Sequence, residues 1–277
     1  MLHASVQSIL AMDALPAELL IVDQSDRSNA ALEDLSTGCA CEIVYVHDRS
    51  VGLSRANNLG IRTARHPILT FTHDDVRVTA TWLADLVHAL VQAGPRTVVT
   101  GRVLPGDAEV PGGFAPSIKT EEVPAVFEGR IREDPLYPMS MAMYRSIFDE
   151  LGLFDERLGP GTPFPGAEDN DFGFRLLTAG YSIHYVPKAV LYHRAWRSRG
   201  QWNALNWAYG TAQGAFFAKH FSLRDTFILR RAARVVCDSL WESHSHPCTA
   251  REQAFYIAAL ASGAVSWWVR YGPARHG

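Results

Sequence analysis

The chain lacks the features that would place it outside the ordinary globular proteins. It has only four scattered cysteines among 277 residues and no CxxC pair, so a zinc site built on thiolates is not expected. Its first residues show neither the charged n-region nor the apolar h-region of a signal peptide, so we expect a cytoplasmic protein with reduced cysteines. A net charge of −3 argues against a general nucleic-acid binder.

Long uncharged runs are also scarce. Residues 254–269 carry no charge, but this segment is shorter than the roughly 20 residues that a spanning helix needs. We expect it to lie at a membrane interface or to pack against the rest of the protein. Hydrophobic residues make up 47% of the chain and charged residues 20%, which is typical of a folded domain.

Short apolar runs alternate with helical patterns in the first two thirds of the chain. Residues 19–22, 42–46 and 68–72 are predicted strands, and the segments between them have helical spacing. This alternation predicts an α/β fold with a mixed, mostly parallel sheet flanked by helices. Ligands of such sheets bind beyond the carboxyl ends of the strands, where Asp23 and residues 73–75 fall.

The predicted domain division falls at residue 195, because the pattern beyond it is helical without strands. Residues 1–195 are predicted to form the α/β domain, whose two halves are residues 1–103 and 104–195. Residues 196–277 are predicted to form a C-terminal helical extension. Within the second half, residues 104–135 are rich in Pro, Gly and Glu, which predicts a loop excursion.

Three carboxylates crowd into four positions, Glu168, Asp169 and Asp171, behind a Pro-Gly turn and ahead of a predicted helix. Neighbouring carboxylates repel, which pushes their pKa values apart and can leave one of them as a general base near neutral pH. Acidic residues also suit a helix N-terminus, because they interact favourably with the helix dipole. The cluster alone leaves both interpretations open.

A second acidic pair, Asp74 and Asp75, follows His73 at the end of a predicted strand. Two carboxylates at a strand end can bind a hard divalent cation that also contacts phosphate oxygens. The structural alternative is a turn and N-cap leading into the helix predicted at Thr81, where Asp is common. The pair by itself favours that alternative.

Taken together, five motifs in this order resemble the family 2 glycosyltransferases of the GT-A fold. The resemblance covers about residues 1–195, and the series is specific although no single motif is. The motifs are residues 21–25 (IVDQS), 52–60 (GLSRANNLG), 74–75 (DD), 168–175 (EDNDFGFR) and 185–193 (YVPKAVLYH).

The resemblance implies an inverting hexosyl- or deoxyhexosyltransferase. Such an enzyme moves a sugar from a nucleotide-diphosphate sugar to a hydroxyl of a glycan or lipid-linked acceptor. On the donor side, Asp23 and Gln24 would face the nucleotide base, Arg55 would meet the nucleotide or its phosphates, and Asp74 would lie near the ribose or the sugar.

The resemblance also implies a metal and an acceptor side. Asp75 and His193 would bind Mn²⁺ or Mg²⁺, which stabilises the leaving diphosphate in place of a general acid. An imidazole ligand favours Mn²⁺ weakly, although a lone histidine near a strand end is more often structural. Asp169 would be the general base, while Glu168 and Asp171 would bind acceptor hydroxyls or hold the loop.

Two departures from the family pattern limit this comparison. Gln24 stands where the family usually has a second Asp that contacts a pyrimidine, which leaves uracil, thymine and guanine open as the donor base. The family's first strand does not precede the motif at residues 21–25, and its loss would leave backbone groups of a neighbouring strand unpaired. We therefore expect a truncated form of a longer protein, with a non-catalytic nucleotide-sugar-binding relative as the alternative.

Residues 194–234 are both basic and aromatic, which is typical of helices on an anionic membrane surface. This pattern predicts peripheral association with the inner face of the plasma membrane and a role in cell-envelope polysaccharide synthesis. The alternative is a soluble helical cap whose aromatic side chains enter the core. The basic residues are Arg194, Arg197, Arg199, Lys219, Arg224, Arg230, Arg231 and Arg234.

Overall fold

A computed structural model describes residues 1–33, 41–222, 225–245 and 247–272 of the chain. The chain divides into two compact units. Unit 1 comprises residues 1–51, 55–154 and 172–198, and unit 2 comprises residues 52–54, 155–171 and 199–277. The chain passes from unit 1 to unit 2 for the last time after residue 198, three residues beyond the boundary predicted at residue 195. The sequence did not predict the two short earlier segments of unit 2.

Strands and helices alternate through unit 1 as the sequence predicts, and the second unit is helical. The strands are β1 (Glu18–Asp23), β2 (Glu42–His47), β3 (Ile68–Phe71), β4 (Val76–Val78), β5 (Thr97–Pro105), β6 (Ala125–Phe127), β7 (Met141–Tyr144) and β8 (Ser182–His193). The helices are α1 (Leu2–Leu10), α2 (Ala30–Glu33), α3 (Leu53–Thr63), α4 (Trp82–Ala93), α5 (Ile147–Leu151), α6 (Glu168–Thr178), α7 (Trp202–His220), α8 (Thr226–Ser245) and α9 (Pro247–Tyr271). The sequence also predicts a helix at residues 28–36; α2 lies within this segment, and residues 34–36 are outside the described residues.

The strands form a parallel pair, β1 with β2, and a six-stranded mixed sheet in the order β3-β7-β5-β8-β4, with β6 also paired to β8. Within the larger sheet only β5 and β8 run parallel among the described strands. The antiparallel share is larger than the sequence predicts. β7 lies between β3 and β5 and pairs antiparallel with both, and the order of the apolar segments along the chain does not show which of them become neighbours.

Side chains of the central strands alternate between two apolar clusters of unit 1, as the strand period requires. Val98 packs with Met141, Phe172 and Leu176 in one cluster. The next residue, Val99, packs with Ala142 and the buried leucines of α4 in the other. The core of unit 1 therefore lies on both faces of the larger sheet, with α6 covering one face and α4 the other.

Unit 2 is built around the contact between α7 and α9. Gly214 of α7 and Gly263 of α9 each lie so close to the other helix that an added Cβ would meet backbone atoms at 2.0 Å. Only glycine permits this approach. Trp267 of α9 packs beside Phe164 in the core of this unit. In the parts of the chain that the structure describes, no helix has the length and apolar character needed to cross a membrane.

Candidate functional site

Asp23 ends β1 at the strand edge where the sequence predicts a nucleotide-binding side chain. Its carboxylate accepts hydrogen bonds from the Tyr45 hydroxyl at 2.7 Å and from the backbone amide of Ser25 at 2.9 Å. Burial alone would raise the pKa of Asp23, but these hydrogen bonds hold it below its usual value. Asp23 is therefore an ionised, fixed acceptor at the end of β1.

A polar group follows the neighbouring strand end. The Gln24 side chain donates to Ser50 Oγ at 3.3 Å, and the Ser50 hydroxyl in turn donates to Asp48. The hydrogen bonds from Ser50 and, to a smaller extent, the charge of exposed Arg55 lower the pKa of Asp48. Sequence reasoning missed Asp48 and Ser50, although Asp48 directly follows β2 just as Gln24 directly follows β1.

The register of β4 against β8 brings the two predicted metal ligands together. Val76 pairs with His193, and the backbone amide of Arg194 donates to the Asp75 carbonyl at 2.8 Å. As a result, His193 Nε2 lies 3.3 Å from Asp75 Oδ2. Burial would raise the pKa of Asp75, but the hydrogen bond and charge of His193 lower it overall.

Some polar atoms of this pair and of nearby His73 make no hydrogen bond. Asp75 Oδ1, His193 Nδ1 and His73 Nε2 are buried without a hydrogen-bond partner among the described residues. A carboxylate oxygen beside an imidazole nitrogen suits Mn²⁺ or, less well, Mg²⁺. The described residues contain no cluster of three or more His, Cys, Asp or Glu side chains that could hold a metal unaided. The pair therefore fits a metal that takes its remaining ligands from a bound molecule or water.

The motif at residues 52–60 has a structural use that the sequence did not reveal. In unit 1, the Asn58 amide binds both the carbonyl and the amide of Phe154 at 2.9 Å. In unit 2, the Ser54 hydroxyl donates to the carbonyl of Leu158 at 2.8 Å. These buried polar residues therefore fix the backbone of the segment that precedes the acidic cluster.

The acidic cluster occupies the first turn of α6. Glu168 is buried, and its Oε2 has no hydrogen-bond partner in the described parts of the chain. Burial, together with the charge of Asp169, raises the pKa of Glu168 to about 8. Asp169 is partly exposed, and its Oδ1 accepts a hydrogen bond from the Asn170 amide at 2.9 Å. A proton-bearing acid thus stands next to an accessible carboxylate, which is the division of roles expected in acid–base sites.

Asp171 differs from both neighbours. It is fully buried, and its Oδ1 lies 2.6 Å from Lys219 Nζ and 2.7 Å from His220 Nε2 of α7. Of the two roles predicted for Asp171, this placement favours holding the loop over binding an acceptor.

A comparison with protein families identifies the fold's relatives. The model of the family described as glycosyl transferase family 2 matches residues 1–152. The chain belongs to this family. The family match and the structural neighbours confirm the prediction of a mixed α/β glycosyltransferase fold of the GT-A type.

Curated relatives of this family 2 glycosyltransferase include the pre-mycofactocin glycosyltransferase of Mycobacterium tuberculosis, at 24% identity over 212 residues. The match covers 73% of this chain but only 43% of the relative, so the chain spans less than half of that protein's length. The likeness is therefore partial.

Two solved structures share the fold. One is the mannosyltransferase PcManGT from Pyrobaculum calidifontis with GDP-Man and Mn²⁺, at a TM-score of 0.60 and 17% identity, covering 95% of this chain and 82% of the other. The other is S. aureus TarS 1–349 with UDP-GlcNAc, at a TM-score of 0.60 and 14% identity, covering 92% of this chain and 74% of the other. At such identities the likeness shows the fold alone.

The raised pKa of Glu168 predicts a pH-dependent stability in this family member. The pKa rises from an ordinary value of 4.5 to about 8 on folding, so the folded state binds the extra proton between those values. The free energy of unfolding should then fall as pH rises through this window. Glu168→Gln cannot ionise and should lack that fall, which thermal unfolding at stepped pH would measure.

The matched control is Glu133→Gln, because Glu133 is exposed. This variant should keep the pH dependence of the wild type. If Glu168→Gln and the wild type lost stability in parallel between pH 5 and pH 8, then Glu168 would ionise normally in the folded protein.

Proposed function

We propose that this protein is an inverting glycosyltransferase that moves a hexosyl or deoxyhexosyl group from a nucleotide-diphosphate sugar to an acceptor hydroxyl. In this reaction the acceptor oxygen forms a bond to the anomeric carbon while the bond from that carbon to the diphosphate oxygen breaks. The acceptor proton passes to Asp169, and the nucleoside diphosphate leaves with the electron pair.

One observation carries the proposal. Asp169 is the accessible carboxylate of its cluster, since Glu168 is buried with a raised pKa and Asp171 is buried and ion-paired. A displacement of this kind needs one ionised base on the acceptor side. Glu168, buried and with a raised pKa, would keep its proton at neutral pH and would hold the loop or bind an acceptor hydroxyl.

The donor would bind to unit 1. Asp23 and Gln24 would contact the nucleotide base, Arg55 would contact the nucleotide or its phosphates, and Asp74 would contact the ribose or the sugar. Asp23 and Gln24 stand at the end of β1, Arg55 lies in the first turn of α3, and Asp74 follows β3; ligands of α/β folds bind beyond the carboxyl ends of strands, which supports these assignments. The solved relatives carry GDP-Man or UDP-GlcNAc, so donors of both nucleotides are candidates.

Asp75 and His193 would hold Mn²⁺ or Mg²⁺. When bound, the metal supplies positive charge that stabilises the leaving diphosphate. The unpartnered buried atoms of this pair support the assignment, and the PcManGT structure contains Mn²⁺.

The acceptor would be a glycan or a lipid-linked hydroxyl at the cytoplasmic face of the plasma membrane, in a pathway of cell-envelope polysaccharide synthesis. The support is the exposure of apolar side chains on the C-terminal helices, where Trp241, Val265 and Val269 are 75%, 61% and 81% exposed. Exposed Arg230 and Arg234 lie on α8, where Arg234 is also paired with Asp238 at 2.9 Å. Basic residues near exposed aromatics favour anionic lipid.

The structure turns part of the predicted basic face inward. Lys219 is ion-paired, and Arg231 is buried with its guanidinium 5.2 Å from the ring centre of Phe216. Flotation with phosphatidylglycerol vesicles, against phosphatidylcholine vesicles as control, tests the surface that remains. Retention in the soluble fraction with both would contradict membrane binding.

The function itself is tested by a panel of nucleotide-sugars that includes UDP-GlcNAc and GDP-mannose. We expect Mn²⁺-dependent binding of at least one donor by calorimetry, followed by release of its nucleoside diphosphate. Binding without any release, with every acceptor tried, would favour the alternative of a non-catalytic nucleotide-sugar-binding protein. The absence of binding to any donor would contradict both.

A further inference from the structure

One lysine joins the two ends of the segment that carries the acidic cluster. Asp155 begins and Asp171 ends the segment 155–171 of unit 2. The ammonium group of Lys219, near the end of α7, lies 2.7 Å from Asp155 Oδ2 and 2.6 Å from Asp171 Oδ1. All three side chains are largely buried, so this set, the Lys219 clamp, closes the segment as a loop.

The charges of the clamp are satisfied from several elements. Arg157 donates to both oxygens of Asp155, at 2.8 Å and 2.6 Å, and its guanidinium lies 4.5 Å from the ring centre of Trp267 in α9. Burial alone would raise the pKa of Asp155, but the cations Arg157 and Lys219 lower it to about 2. Removal of Lys219 would leave two buried carboxylates short of a partner, which is strongly unfavourable.

A second contact fixes the residue next to the base. The side-chain amide of Asn170 donates to Gln213 Oε1 of α7 at 2.8 Å. His220 Nε2 of α7 lies within hydrogen-bond distance of Asp171 Oδ1. Residues 213 and 220 are seven positions apart, so they share one face of the helix. Both residues that follow Asp169 are therefore bound to α7.

We infer that Lys219 is a positioning residue for the base Asp169, acting through the clamp that ties the segment 155–171 to α7. The inference rests on the proposed function. The C-terminal helices then belong to the catalytic apparatus as well as to any membrane surface. Reacting groups must be held closely, and a misplacement of about 1 Å can cost about 100-fold in rate.

Lys219→Met tests the inference, because methionine keeps an unbranched side chain of similar length and removes the charge. We expect kcat to fall by about 100-fold while donor affinity, measured by calorimetry, stays within about twofold of the wild type, since the proposed donor residues lie in unit 1. Lys219→Arg should recover a substantial part of kcat. Lys188→Met is the matched control, because Lys188 is exposed on β8 and should tolerate the same change.

A double variant separates positioning from stability. Asp155→Asn combined with Lys219→Met removes one buried negative charge and should recover thermal stability without recovering kcat. If kcat returned together with stability, Lys219 would act only through folding and the inference would be wrong. An unchanged kcat in Lys219→Met, or a parallel loss of donor affinity, would also overturn it.

Hydrogen exchange tests the clamp independently of the enzyme's activity. In Lys219→Met, amides of residues 155–171 should exchange faster than in the wild type, while those of β5 and β7 should not change. Unchanged exchange in the segment would overturn the clamp even if the wild type transferred no sugar. If exchange were faster in Lys219→Met but the wild type released no diphosphate, the clamp would be retained and the proposed function contradicted instead.

Discussion

Replacing Asp169 with asparagine should abolish sugar transfer while leaving donor binding intact. An amide cannot accept the acceptor proton, and a general base contributes about 10²–10⁴-fold to such reactions. We therefore expect the rate of nucleoside diphosphate release to fall by at least about 100-fold. Calorimetry should give a donor affinity close to that of the wild type, because the proposed donor residues lie on other elements.

The control for this change is Asp149→Asn, which alters an exposed carboxyl on α5 and should leave the rate unchanged. Asparagine at position 169 can still accept the backbone hydrogen bond from Asn170, so the first turn of α6 should remain folded. A variant that turned over at the wild-type rate would show that another group is the base.

The second large effect is expected at the proposed metal pair. Asp75→Asn and His193→Ala should each weaken Mn²⁺-dependent donor binding by at least about 10–100-fold. That is the loss typical when residues that only support the metal ligands are changed, and a change of a ligand itself should cost no less. Each change removes a donor atom of a partly buried pair, in which Asp75 Oδ1 and His193 Nδ1 have no other partner among the described residues. Titration of Mn²⁺ followed by its electron paramagnetic resonance signal gives a measurement that does not depend on turnover.

Asp85→Asn, at the first turn of α4, provides a comparison in the same unit. It should leave both the Mn²⁺ affinity and the donor affinity unchanged. If Asp75→Asn and His193→Ala bound Mn²⁺ and donor as the wild type does, the pair would be a structural hydrogen bond, which was the simpler interpretation of the strand-end histidine.

The sequence predicted the position of Asp23 well, because a short apolar strand followed by polar residues is a local pattern. It predicted Asp75 and His193 as partners only through the family resemblance. The contact itself depends on β4, a strand of three residues that gives almost no periodic signal, and on its register with β8. Pairing between segments more than a hundred residues apart cannot be derived from local spacing.

Lys219 shows the same limit more sharply. In the sequence it belongs to a basic, aromatic segment, which predicted a membrane-facing surface. The structure instead places its charge between Asp155 and Asp171. These two partners could not be identified from the sequence, because the contact depends on how α7 packs. By contrast, the crowding of Glu168 and Asp169 is visible in the sequence, and the raised pKa of Glu168 agrees with the repulsion predicted from it.

The central claim is that one carboxylate base drives a direct displacement at the anomeric carbon. The measurement that tests it most directly is the anomeric configuration of the first product formed from an α-linked donor, followed by proton NMR. The account predicts a β-configured product, because a single displacement inverts the centre. An α-configured first product would contradict it.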